Sequence, residues 1–159
     1  MEYGAVGIMG VAAVGAMVLG SSGMATYNYF DMGSLENGPK IKRGYNTCVA
    51  AIVSALAVLG LVIATIVKCR KNTDCAFKKF VNPTSTWWVV VGIMALLPAV
   101  LAMIGNIDMF NNLAHGVIQN ENMKRMDGPR TASIVFLSLV VGSLVTWLPA
   151  LLVYYDGST

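Results

Sequence analysis

The chain has 159 residues, 56% of them hydrophobic and only 12% charged, with a net charge of +3. A soluble domain carries about 25% charged residues, and a small one leaves much of its area in water. The composition therefore excludes an ordinary soluble globule and a disordered tail, and the small, dispersed positive charge gives no footprint for nucleic acid; an all-α integral membrane protein is expected.

Four stretches lack Asp, Glu, Lys, Arg and His: 3–30, 45–67, 87–107 and 131–155. Crossing a hydrocarbon core of roughly 30 Å takes about 20 apolar residues, and all four runs are long enough. None alternates apolar with polar as a barrel strand does, so four transmembrane helices in a compact bundle are predicted, forming one membrane domain over the chain. Aromatic rings sit at the run ends: Tyr27, Tyr29, Tyr45, Trp87, Trp88, Trp147, Tyr154 and Tyr155. Rings with a polar edge favour the headgroup level.

The first run is rich in glycine. Ala12, Ala16 and Gly20 fall four apart and line one helix face. Small residues at that spacing let two backbones approach closely in lipid, which predicts a helix-packing interface, inside the bundle or between subunits. A cleaved signal peptide is not expected, because Met1 and Glu2 supply no basic n-region and the apolar run is too long.

Lys40, Lys42 and Arg43 lie in the predicted first loop, 31–44. After the second run comes the densest basic cluster: Lys68, Arg70, Lys71, Lys78 and Lys79. It flanks the membrane and points to a cytoplasmic middle loop with both termini on the same side. Cys69 and Cys75 share that loop. In an oxidising compartment they would suit a small disulfide; in the cytosol Cys69, beside the run end, would suit acylation; plain thiols are the third reading.

The third run contains Pro98, which predicts a kink, and ends at Asn106 and Asp108, read as an interfacial boundary. Beyond it Phe110, Leu113, Val117 and Ile118 recur at helical spacing among Asn and Gln. This predicts a short amphipathic helix over about 108–122, either on the membrane surface or extending the third run, offering a partner or membrane-surface contact. The fourth run carries Ser138, Ser143 and Thr146, with Pro149 near its end.

Val6-Gly7-Ile8-Met9 recurs as Val91-Gly92-Ile93-Met94, an offset of 85 that also aligns Gly20 with Gly105 and Met24 with Met109. Asn37-Gly38-Pro39-Lys40 is similar to Asp127-Gly128-Pro129-Arg130. Two tandem helical hairpins would give such a pattern. A duplicated hairpin of this length resembles the proteolipid subunit of rotary ATPases, but that family carries a mid-span carboxylate, and the second and fourth runs have none.

No predicted span holds an ionisable side chain of the kind pumps and coupled carriers use. His115 is the single histidine, and no Cys or carboxylate stands at metal-ligand spacing from it. No catalytic, cofactor-binding or metal-binding residue is expected. The leading expectation is a non-catalytic tetraspan protein, a structural or assembly component of a larger complex, with the lipid bilayer and other protein subunits as partners. Anchoring a protein shell to a virion's internal membrane is one example. The alternative is a small channel or carrier for an uncharged solute, lined by Ser54, Ser138, Ser143 and Thr146.

Overall fold

The computed structural model describes residues 4–29, 38–71, 87–114 and 120–156, and all of them are helical. The helices are α1 (Gly4–Tyr29), α2 (Gly38–Lys71), α3 (Trp87–Ala114) and α4 (Asn120–Asp156). Each is long and apolar enough to cross a membrane. Together they make the compact all-helical bundle that the charge-free runs predict.

The helices outrun those runs at one end of the bundle. α2 begins at Gly38 rather than Tyr45, and α4 at Asn120 rather than Thr131. Of the two placements expected for the amphipathic segment, Asp108–Ala114 takes the extension of the third run, as the end of α3; 115–119 lie outside the described residues, and Asn120 opens α4. The reason is physical. A charge ends a lipid-compatible surface, not a helix, whose hydrogen bonds continue wherever one face stays buried. Pro39 fits the first turn of α2, where its missing N–H has no helical partner to lose. At 1.5 Å per residue, the 37 residues of α4 reach about 55 Å, well beyond a hydrocarbon core of roughly 30 Å.

The helices alternate in direction. α1 and α3 touch each other, α2 packs on both, and α4 packs on both without extensive contact to α2. That arrangement is unchanged when the first hairpin is exchanged with the second. Burial follows the same offset of 85 at some positions and not at others: Ala12 is buried where Leu97 is exposed, and Val58 is buried where Ser143 is exposed. Ile41 and Met126, Gly44 and Pro129, Cys48 and Ser133, Ala55 and Val140 are all buried pairs. The Gly-Pro resemblance does not follow this register: Pro39 opens α2, whereas Pro129 lies inside α4.

Within the membrane zone the core is built largely of alanine: Ala12, Ala13, Ala16, Ala51, Ala55, Ala95 and Ala102 are all 1% exposed or less. With lipid as solvent, contact comes from backbones lying close together rather than from bulky side chains. The outer surface carries Val11, Val18, Val53, Ile93, Leu139 and Val145, each more than half exposed. In water such a surface would aggregate; here it faces acyl chains. α4 is the least enclosed span, with 17% of its apolar window inside the protein against 39% for α3.

Candidate functional site: the polar end of the bundle

Two glycines bring α2 and α3 into backbone contact. A Cβ on Gly105 would lie 2.6 Å from Cys48 Sγ and 2.9 Å from the Gly44 carbonyl oxygen. One on Gly44 would lie 2.8 Å from the Gly105 carbonyl oxygen. Any side chain at either position forces the helices apart. On the other side of α1, Gly15 forms a slot that the Phe136 ring of α4 fills, so that a Cβ there would overlap the ring.

Next to this crossing lies a polar hub. Asn106 and Ser133 are both fully buried. The Asn106 amide donates to Ser133 Oγ at 2.8 Å and to the Leu19 carbonyl oxygen at 3.3 Å. Its Oδ1 faces Cys48 Sγ at 4.0 Å, a weak contact. The Ser133 hydroxyl donates to the Pro129 carbonyl oxygen at 2.6 Å. Both amide hydrogens are used, as a buried Asn requires. Gly23 makes room for the amide: a Cβ there would overlap Asn106 Oδ1. One side chain on α3 thus touches α1, α2 and α4.

Outward from the hub the bundle has a second core. Ile41, Met109, Leu113 and Met126 are buried together, flanked by Met24, Tyr27, Tyr45 and Phe110. Tyr27 and Tyr45 pack with ring centroids 4.7 Å apart. Around this apolar plug runs a charged rim. Arg43 Nε donates to Asp108 Oδ2 at 3.0 Å and Nη2 to Oδ1 at 3.4 Å. Asn112 Nδ2 donates to the same carboxylate at 3.3 Å. The Arg130 guanidinium lies over the Phe110 ring, 4.0 Å from its centroid, and Nη2 is 2.7 Å from Asp127 Oδ1. The Arg125 guanidinium lies 5.5 Å from the Tyr29 ring centroid. Lys40, Lys42 and Lys124 are exposed.

The residues singled out in sequence are distributed as follows. Ala12 and Ala16 are fully buried within the bundle, and Gly20 meets the Cys48 carbonyl oxygen and Ile52 of α2; their close approach is intramolecular. Leu113 is 1% exposed, so it belongs to the second core and offers no outward contact. Phe110 is half-buried beneath Arg130. Val117, Ile118, Cys75, Lys78 and Lys79 lie outside the described residues. Lys68, Cys69, Arg70 and Lys71 form the last turn of α2. Ser138, Ser143 and Thr146 are exposed on α4, and each hydroxyl donates to a carbonyl of its own helix one turn back. Ser54 does the same to Ala51. They do not converge on an interior path.

Asn106 is the centre of this hub, though the sequence places it only at a boundary. Its signal was present as the last uncharged polar residue of an apolar run, but its partners come from three other helices. Compared with known proteins, the chain matches no family, no curated protein and no solved structure.

Proposed function

We propose that this chain is a non-catalytic structural component of a membrane assembly, and that its polar end is a rigid platform for other protein subunits. The observation that supports this reading is the second core. A bundle needs no buried apolar plug among its charged residues, yet Ile41 of α2, Met109 and Leu113 of α3 and Met126 of α4, packed with Met24 and Tyr27 of α1, hold four helix ends in a fixed arrangement there. A preorganised surface loses less entropy on docking than a flexible one. With both termini and segment 72–86 in the cytoplasm, the platform faces the opposite side of the membrane. A protein shell resting on lipid, as in a membrane-containing virion, is the kind of partner such a platform suits.

The test is extraction from the native membrane in mild detergent, followed by particle mass measurement and identification of companions by mass spectrometry. Stoichiometric co-purification with larger soluble or shell-forming proteins is expected. A small homo-oligomer without companions would overturn the proposal.

A further inference from the structure

A cavity of about 320 Å³ opens between the start of α2 and the end of α3, lined by Pro39, Lys40, Arg43, Asp108 and Asn112. That volume falls at the lower end of the roughly 300–1,000 Å³ usual for small-molecule sites. We propose that this cavity binds the phosphate group of an anionic phospholipid headgroup. The proposal is independent of the platform reading.

Charge is the first argument. Two cations and one carboxylate line the cavity, leaving it net positive. Asp108 is already committed: Arg43 approaches both of its oxygens, and Asn112 donates to one of them. The carboxylate therefore holds the guanidinium in place rather than filling the cavity. Arg43 spends Nε and one Nη2 hydrogen on this pair, so Nη1 retains two donors in a fixed fork suited to phosphate. Lys40 makes no ion pair among the described residues.

Depth is the second argument. Ile104 lies one turn inward from Asp108 on α3 and is 46% exposed; Val53, further along α2, is 61% exposed. These are acyl-facing surfaces. The cavity stands one turn outward of Ile104, among the charged residues that end this apolar surface, where a lipid phosphate would sit. A lipid seated there would put its phosphate against Lys40 and Arg43 and its chains along the outer wall of the bundle.

The full chain in mild detergent is mixed with micelles containing phosphatidylglycerol or phosphatidylcholine of matched chains, and retained lipid is counted by native mass spectrometry. Phosphatidylglycerol is expected to be retained in preference. Lys40→Gln should lower its affinity about fivefold, the effect of one basic residue at a membrane surface. Lys42→Gln removes the same charge outside the cavity and should leave retention unchanged. Equal retention of both lipids, equal losses from Lys40→Gln and Lys42→Gln, or displacement of phosphatidylglycerol by millimolar inorganic phosphate would each overturn the proposal.

Discussion

Cys48 on α2 and Ser133 on α4 stand 85 residues apart in the chain and meet the two ends of the same Asn106 amide, Cys48 at Oδ1 and Ser133 at Nδ2. The two positions are equivalent in the tandem register, so the hub sits where the two hairpins face each other. Interhelical hydrogen bonds inside membrane proteins average about 0.6 kcal/mol by double-mutant cycles and reach about 1.7. An Asn106→Ala and Ser133→Ala cycle should give a coupling energy in that range, read as the shift in unfolding midpoint in mixed micelles. A coupling of zero would show the hub to be a bystander.

The α2–α3 crossing tolerates no added atom. Gly105→Ala places a methyl group against Cys48 and the Gly44 carbonyl, and backbone cannot yield as a side-chain tip can. Overpacking of this kind costs about 1–3 kcal/mol. Gly92→Ala, on the same helix but with open space around it, should be neutral or slightly stabilising through helix propensity. Comparing the two unfolding midpoints checks the claim.

Phe136 and Gly15 form a matched knob and slot. Phe136, which is half-buried, should on truncation to Ala destabilise by less than the about 3–5 kcal/mol of a fully buried ring. Gly15→Leu alone should prevent α4 from docking, and Gly15→Leu with Phe136→Ala should recover much of that loss. Protease sensitivity of α4 in detergent reads all three; a double variant no better than the worse single one would sink the pairing.

The Arg43–Asp108 pair looks prominent but should contribute little to stability. The Arg43 side chain is 80% exposed, and exposed pairs contribute about 0.2–1 kcal/mol. Asp108→Asn should shift the unfolding midpoint by no more than that. Leu113→Ala, by contrast, should cost about 2–5 kcal/mol, as buried leucines do, although both residues belong to the same stretch of α3.

Much of the architecture was legible in the sequence, because lipid imposes a one-dimensional rule: no charge may face it. Hence the number of helices and their apolar centres could be read directly. The rule fails beyond the bilayer. Lys40, Lys42 and Arg43 read as loop residues, yet they ride on α2, whose opposite face carries Ile41 into a second core with Met109, Leu113 and Met126. The hub was illegible for another reason. Asn106 acquires its role from the absent side chain of Gly23, from Ser133 and from the Leu19 carbonyl, and no local pattern announces that these three converge.

The loose enclosure of α4 sets an order of assembly. α1, α2 and α3 make a mutually contacting trio, closed by backbone contact at Gly44 and Gly105, whereas α4 packs chiefly on α1 and α3, through Met126, Ser133, Phe136, Val140 and Leu144. Helices that insert first and associate afterwards would thus gather as three, with the groove along α1 and α3 open to lipid. On that order the last helix would enter the groove sideways from the bilayer, displacing lipid from it.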